Sequence, residues 1–375
     1  MSLPERTRWP DAAALWGQAS PPAALAALCD ALDAVAPRLH FLGKQRIRQR
    51  LVEALASHRQ RIRAFADEPA LAERALPRPI VIVGPFRSGT TFLHRLLSED
   101  SRLRWLRPWE SMYAARGGGS DYLQDDERIA LLERDLRHLY RHQPALAQLH
   151  PVAPHEAEEC FGVLEASFSS PSFLFLAPVE SYLDHLAHAD EAAWSLAYAE
   201  YADQLRLVDA RHGGERWLLK SPVHLWNLAA LTRALPGALL VHTHREPAAA
   251  VLSLCRLIHA HHGLAMAAPD PLEAGRSAWR FYAAALPRAV AARRAGGRHL
   301  DLAFDAISRD PLAAVREVLA AAGLAPPSAE TEARVRRRGA TPAPSAPADT
   351  RDLEHFGLRA AAVQALFDDY AAFSP

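Results

Sequence analysis

Residues 81–97 read VIVGPFRSGTTFLHRLL, and this stretch decides the fold. The β-branched run at 80–83 predicts a buried parallel strand, and the leucines of 90–97 have the spacing of a helix. Between them runs a loop from Gly84 to Gly89. Strand, glycine loop and helix together are the context of a phosphate site, because backbone N–H groups and a helix N-terminus favour an anion.

The loop matches the mononucleotide pattern G-x-x-x-x-G-K-[ST] except at one place, where Thr90 replaces the lysine. That lysine normally reaches the β- and γ-phosphates, and the next hydroxyl holds Mg²⁺. Other donors are plentiful: Arg87, Ser88, Thr90 and Thr91 surround Gly89. We therefore expect a loop that holds a single nucleotide phosphate without a metal; an ordinary strand–helix turn is the alternative.

The rest of the chain alternates strands with helices, which predicts an α/β fold with a P-loop-like parallel sheet flanked by helices. Further strands are predicted at residues 217–219, 238–241 and 299–304. Residues 1–76 are expected to form an N-terminal helical extension without chemistry of its own, and 77–375 the main domain. Within that domain, residues 109–200 are predicted to be a mostly helical insertion that walls the pocket of a second substrate.

Composition excludes several classes of protein. The 375 residues carry 43 basic and 43 acidic side chains, which disfavours a nucleic-acid binder held by bulk charge. We see no signal peptide and no apolar run of membrane-spanning length. Cys29, Cys160 and Cys255 are far apart, which favours a reducing compartment. We therefore expect a cytoplasmic protein without a membrane span, and leave its oligomeric state open.

Two later segments carry candidate ligand-binding residues. Residues 242–254 read HTHREPAAAVLSL, so that Arg245 follows a predicted strand and Ser253 comes eight residues later in a helix. This pair can bind a second anion, although an arginine on the surface explains the motif as well. Lys220 ends a predicted strand and is one of only two lysines, the other being Lys44. Its alternative role is that of a strand-end lysine in water.

Together these motifs resemble those of sulfotransferases that use 3′-phosphoadenylyl sulfate (PAPS). PFRSGTT is similar to the loop that binds the 5′-phosphosulfate, and HTHREPAAAVLS to the motif that binds the 3′-phosphate. LLKSPVHL, residues 218–225, resembles the lysine segment of the bacterial and tyrosylprotein-type branch. The resemblance extends over about residues 77–373, but Phe304 and Ala306 replace the family's usual tyrosine and acid.

The resemblance implies a PAPS cofactor and no metal. PAPS has a 5′-phosphate bearing the sulfuryl group and a separate 3′-phosphate, so no γ-phosphate needs the missing lysine. The loop would hold the 5′-phosphosulfate, and Arg245 with Ser253 the 3′-phosphate. Lys220 would stabilise the leaving phosphate, since a compact ammonium suits a point contact.

The acceptor must lose a proton, so a base is needed. The resemblance implies Glu110, in RPWES, as this base, because it matches the place of the family's catalytic glutamate. His150 is the rival, since histidine is the base in another branch. The glutamates of HEAEEC, which are Glu156, Glu158 and Glu159, can line the same pocket or form a charged helix face.

We therefore expect a sulfotransferase that acts on a hydroxyl or amine of a small molecule. The alternatives are a P-loop nucleotide kinase or NTPase, and a non-catalytic nucleotide-binding protein. An aromatic or lipid-like alcohol fits the aromatic residues of the insertion, although core packing explains them equally well. These residues are Trp109, Tyr113, Phe161, Phe168, Phe173 and Phe175.

Overall fold

A computed structural model of the protein describes residues 9–17, 20–112, 125–212, 216–340 and 351–375. Its strands form one sheet with the spatial order β2-β3-β1-β4-β5, in which every neighbouring pair is parallel. The strands are β1 (Ile80–Val83), β2 (Leu103–Arg104), β3 (Arg216–Lys220), β4 (Leu239–His244) and β5 (His299–Ala303). The predicted parallel sheet flanked by helices is confirmed.

Both faces of the sheet are covered. All of β1 is buried, and successive side chains of a strand point to opposite faces. Val81 and Val83 therefore pack into the larger apolar cluster, and Ile80 and Ile82 into a second cluster behind the sheet. This explains why the run is uniformly β-branched rather than alternating with polar residues.

The chain before β1 is helical. It forms α1 (Ala12–Trp16), α2 (Ala23–Val35) and α3 (Phe41–Asp67). Leu25, Leu28 and Leu32 of α2 belong to the same apolar cluster as the front of the sheet. The division at residue 76 stays a prediction.

In the described residues, seven α-helices lie between β1 and β3, and several of them line the cavity described below. They are α4 (Thr90–Leu97), α5 (Pro108–Met112), α6 (Asp125–His142), α7 (Ala145–Leu149), α8 (Phe161–Glu165), α9 (Glu180–His188) and α10 (Glu191–His212). Helices occupy much of the predicted insertion, but its limits at 109 and 200 stay a prediction.

The rest of the chain contains the helices that cover β3, β4 and β5. They are α11 (Leu228–Ala234), α12 (Pro247–His262), α13 (Pro271–Arg294), α14 (Phe304–Arg309), α15 (Pro311–Ala321), α16 (Ala329–Gly339), α17 (Asp352–His355) and α18 (Ala360–Ala371). Phe304, expected at the end of a strand, instead begins α14.

Two further expectations concern cysteines and membranes. All three cysteines are buried and none forms a disulfide. Over the described ranges, no helix has both the length and the apolar composition needed to cross a bilayer.

Candidate active site

The loop after β1 lies at the carboxyl end of the sheet, the usual place for a ligand in an open parallel α/β fold. Gly84 has a φ of 141°, and a Cβ there would lie 2.6 Å from the carbonyl oxygen of Thr243. Gly89 has a φ of 94°, and its Cβ would lie 2.5 Å from the Phe304 ring. Both glycines are therefore required by conformation and by close approach.

The helix that follows this loop begins without a side-chain cap. Gly89 is the residue before α4, and within the part of the chain that the structure describes no side chain caps the N–H groups of the first turn. Those groups have no intrahelical partner and carry the positive end of the helix dipole. The start of α4 is therefore suited to an anion.

The donors of the loop divide into two groups. Arg87, Gly89, Thr90 and Thr91 line a large cavity. Ser88 is fully buried, and its hydroxyl bonds to the carbonyl of Pro85 and to the Thr243 hydroxyl, both at 2.6 Å. The Ser88 side chain thus holds the loop against β4. The Ser88 hydroxyl does not line the cavity.

Arg245 lies just beyond β4 and lines the same cavity. Its guanidinium donates to the carbonyl of Arg87 at 3.0 Å and stacks on Phe304, 4.6 Å from the ring centre. Burial, and then the charge of Arg245, lower the pKa of Arg87. Ser253 lies in α12 and is not among the residues that line this cavity, so the predicted pair is only half assembled.

Lys220, at the end of β3, has no exposed surface. Its ammonium donates to Glu159 Oε1 at 2.7 Å and to Thr91 Oγ1 at 3.2 Å, and lies 3.8 Å from Glu158 Oε1. Thr91 and both glutamates line the cavity, with Lys220 directly behind them. The ammonium therefore joins the phosphate-type loop to a pair of carboxylates.

The two carboxylates are held by the backbone of their own segment. The N–H of Glu158 donates to the Leu106 carbonyl, and the N–H of Cys160 donates to the Lys220 carbonyl, both at 3.0 Å. Glu159 Oε2 also accepts from the Ser221 hydroxyl at 3.2 Å. The segment thus runs across the ends of β2 and β3 and is not the charged helix face that was the alternative prediction.

His150 follows α7 and lines the cavity beside these carboxylates. Its Nε2 atom lies 3.3 Å from Glu158 Oε1. Burial raises the pKa of Glu158, but the charges of His150 and Lys220 and the hydrogen bond from His150 outweigh it and hold the pKa below its ordinary value. Glu158 is therefore an anion next to an imidazole.

The same residues include a possible set of metal ligands. Atoms of His150, Glu158 and Glu159 lie within 4.8 Å of one another. The Lys220 ammonium, however, lies close to both carboxylates and balances part of their charge. This donor set therefore fits acid–base chemistry at least as well as it fits a cation.

Two predicted candidates lie elsewhere. Glu110 is 1 % exposed, accepts a hydrogen bond from the N–H of Arg107 at 2.7 Å and pairs with Arg104. It is not among the residues that line the cavity. Glu156 pairs with Arg338 at 2.9 Å. The structure brings neither carboxylate to the other candidates.

The cavity has a volume of about 1110 Å³, and much of its surface beyond the charged end is apolar. Its apolar lining includes Leu132, Leu136, Leu139, Phe161, Phe175 and Leu257. Of the aromatic residues predicted for the pocket, Phe161 and Phe175 line it, while Trp109, Phe168 and Phe173 are buried elsewhere and Tyr113 falls outside the described residues.

The N-terminal helix α3 also lines the cavity, which the sequence did not predict. Its contributions include the polar side chains of Gln45, Arg46, Gln49, Arg50 and Glu53. No local motif marks them, because their place at the cavity depends on contacts of α3 with residues more than a hundred positions away, such as that of Arg50 with Glu165.

Comparisons with known proteins agree on one family. A model of the sulfotransferase family matches residues 79–327. The crystal structure of sulfotransferase STF1 from Mycobacterium tuberculosis H37Rv superposes with a TM-score of 0.74 at 30 % identity, covering 92 % of this chain and 90 % of that one. Sulfotransferase STF9 from Mycobacterium avium gives a TM-score of 0.79 at 27 % identity, with 96 % and 94 % covered.

A search of curated protein sequences gave no significant match. The family model nevertheless spans well over half of the chain, and the likeness to STF1 covers nearly all of it. The chain therefore belongs to the sulfotransferase family.

Proposed function

We propose that this protein transfers the sulfuryl group of PAPS to a hydroxyl or amine group of a small organic acceptor. The observation that carries this proposal is one shared cavity. The phosphate-type loop, Arg245 and the cluster of Lys220, Glu158 and Glu159 all lie at it or directly behind its lining. Family membership makes sulfuryl transfer the expected reaction, and the loop accounts for a donor with a single 5′-phosphate.

In this proposal the loop and the start of α4 bind the 5′-phosphosulfate, and Arg245 binds the 3′-phosphate. Thr91 lines the cavity and its oxygen accepts from Lys220, which leaves the hydroxyl proton available to a ligand oxygen. The fixed charge of Lys220 stabilises the negative charge that develops on the leaving phosphate. Ser88 supports the loop from behind.

We propose His150, held by Glu158, as the base. With Nε2 directed to Glu158, Nδ1 is the nitrogen left to take the proton of the acceptor hydroxyl. Histidine is the residue type whose charge changes between pH 5 and 8, which suits a general base. Glu110, the base implied by resemblance, has its carboxylate directed to Arg104 and Arg107.

The reaction then balances without a metal. The acceptor oxygen attacks sulfur in line, the bond between sulfur and the phosphate oxygen breaks, and 3′-phosphoadenosine 5′-phosphate (PAP) leaves with the electron pair. The acceptor proton moves to His150. The apolar walls exclude water, which would otherwise compete with the organic acceptor for the sulfuryl group.

The test is transfer from sulfur-labelled PAPS to a panel of phenols and long-chain alcohols. We expect labelled product and PAP in equal amounts. Turnover of ATP that requires Mg²⁺ would instead identify a kinase or NTPase. Tight PAP binding without transfer to any acceptor in the panel or in a cell extract would identify a non-catalytic nucleotide-binding protein.

A further inference from the structure

Arg46, on the N-terminal helix α3, lines the cavity far in sequence from the phosphate-type loop. Among the described parts of the chain, no group accepts a hydrogen bond from its guanidinium or forms an ion pair with it. Arg50, one turn further on, differs, because it pairs with Glu165 and lies 3.6 Å from Glu53. The two arginines therefore have different roles, and only the charge of Arg46 is uncompensated.

The position of Arg46 is fixed by packing. Gly43 lies one helical turn before Arg46. A Cβ at Gly43 would lie 2.3 Å from the carbonyl oxygen of Ala265. Just before it, the ring of His40 accepts a hydrogen bond from the N–H of Gly43 at 2.9 Å. The start of α3 is thus held against the chain that follows α12, and Arg46, which lines the cavity, lies one turn further along the helix.

Keeping an arginine in this place is costly without an anion. Burial, followed by the charge of Arg50, lowers the pKa of Arg46 to about 10. The guanidinium nevertheless remains charged at neutral pH, and Arg46 is only partly exposed, so its charge is less well solvated than on an open surface. A bound anion would remove that cost.

Arg46 is separate from the arginines of the loop. Arg46 and Arg50 lie on α3, whereas Arg87 and Arg245 follow β1 and β4. In the same way, the charge of Arg50 acts on the pKa of Arg46 and the charge of Arg245 on that of Arg87. The cavity therefore has two basic regions, one at the loop and one at α3. The second is not needed for either phosphate of PAPS.

His261 relates this second region to the proposed base. Arg46, His150 and His261 line the same cavity. After burial, the charges of Arg46 and His150 both lower the pKa of His261. Phe175 packs on the same ring with the centroids 5.1 Å apart. A largely apolar stretch of cavity thus extends between Arg46 and His150.

We propose that the acceptor carries a carboxylate that Arg46 binds, an apolar body that lies along Phe175 and His261, and a hydroxyl that reaches His150. A single uncompensated arginine matches a single negative charge, and its planar fork matches a carboxylate with two parallel hydrogen bonds. A phosphate dianion would leave one charge unmatched. The inference rests on the proposed function for the role of the hydroxyl, but not for the binding of the carboxylate.

The test compares acids with their esters. The probes are para-hydroxyphenylpropanoic acid and ω-hydroxydodecanoic acid, each beside its methyl ester, added to the full-length protein saturated with PAP. Binding is measured by calorimetry, without turnover. We expect the better acid to bind about 10- to 100-fold more tightly than its ester, the worth of one charge-assisted contact.

Arg46→Gln should remove this preference while leaving PAP affinity unchanged. Arg48→Gln is the matched control, because Arg48 is an exposed arginine on the same helix, and it should keep the preference. Equal binding of acid and ester by the wild-type protein, no binding of either acid, or an undiminished preference in Arg46→Gln would each overturn the inference.

Transfer from labelled PAPS is measured in parallel. Transfer to the esters without any preference for the acids would leave the proposed function standing and refute the carboxylate site. A preference that depends on Arg46 without any transfer would support the carboxylate site and count against the proposed function.

Discussion

Replacing Arg245 by alanine removes two kinds of contact that can be measured separately. One is the proposed contact with the 3′-phosphate, which only PAP and PAPS carry. The other is structural: Arg245 donates to the Arg87 carbonyl at 3.0 Å and covers Phe304, the ring that approaches Gly89. The first loss depends on the ligand, whereas the second affects every ligand of the loop.

The magnitudes follow from these contacts. A hydrogen bond between charged groups is worth about 1.5–3 kcal/mol, or a factor of about 10 to 150 in Kd. The neutral acceptor on Arg87 contributes about 0.5–1.5 kcal/mol, or a factor of about 2 to 12. PAP should therefore lose about 30- to 2000-fold in affinity, and adenosine 5′-monophosphate, which lacks the 3′-phosphate, only about 2- to 12-fold.

The assay is calorimetric titration of wild-type protein and of Arg245→Ala with both nucleotides. Arg245→Lys is a useful second variant, because it keeps the charge but loses the fork that serves Arg87 and the ligand together. The affinity of Arg245→Lys for PAP should lie between those of the wild-type protein and of Arg245→Ala. Thermal unfolding of each free protein checks that the fold is retained.

The decisive quantity is the ratio of the two affinities. Equal losses for PAP and adenosine monophosphate would show that Arg245 acts only on the loop, and that the 3′-phosphate is bound elsewhere. Such a result would also remove the role assigned to the Arg245 and Ser253 motif. It would leave the 5′-phosphate site unaffected.

Four further predictions concern the charged cluster. His150→Ala should lower kcat by about 10²–10⁴ with little change in PAP affinity, whereas Glu110→Gln should lower the melting temperature more than it lowers kcat; the opposite pattern would make Glu110 the base. Because the pKa of Glu158 is held below its ordinary value, Glu158 is an anion at neutral pH, and Glu158→Gln should lower kcat by removing that charge from beside His150; an unchanged kcat would contradict the pairing. Lys220→Met should lower kcat by about 10²–10³, and adding Glu159→Gln should restore stability but not rate; recovery of the rate would mean that Lys220 has only a structural role. Treatment with EDTA should leave the transfer rate unchanged, and loss of activity that Mg²⁺ or Zn²⁺ restores would show that His150, Glu158 and Glu159 hold a metal.

Four of the five strands were predictable because local patterns signal them, whereas the two-residue β2 (Leu103–Arg104) was not predicted. β1 and α4 have the bounds that their apolar patterns predict, and Ser221 and Pro222 mark the end of β3 as an N-cap and a first helical residue. Since parallel strands present their carboxyl ends at one edge, the approach of the loop, Lys220 and Arg245 follows from that order. The local pattern therefore predicts both the fold and this half of the site.

The acceptor side was not predictable in the same way. The sequence left two interpretations of Glu158 and Glu159, as pocket residues or as a charged helix face. The backbone bonds of Glu158 to Leu106 and of Cys160 to Lys220, which no local pattern reveals, bring them to the lysine. Arg46 reads as one of many arginines on a long helix. Its place at the cavity goes with the contact of the same helix, at Gly43, with Ala265, more than two hundred residues away.

Glu110 shows how a motif match and a structural signal compete for one residue. Arg107 precedes α5, Pro108 is its first residue, and Glu110 is the third, so its carboxylate reaches back to the N–H of Arg107 as in a capping box. The other oxygen pairs with Arg104 of β2, whose guanidinium stacks over Trp217 of β3.

To act as a base, Glu110 would have to release both partners, leaving the Arg107 N–H without an acceptor and the Arg104 charge without its carboxylate. Losing one partner of a buried ion pair costs about 3–5 kcal/mol, and nothing in the cavity compensates for it, whereas His150 already faces the cavity with its carboxylate partner in place. The proton is therefore assigned to the histidine because the glutamate is already engaged in joining α5 to the edge of the sheet.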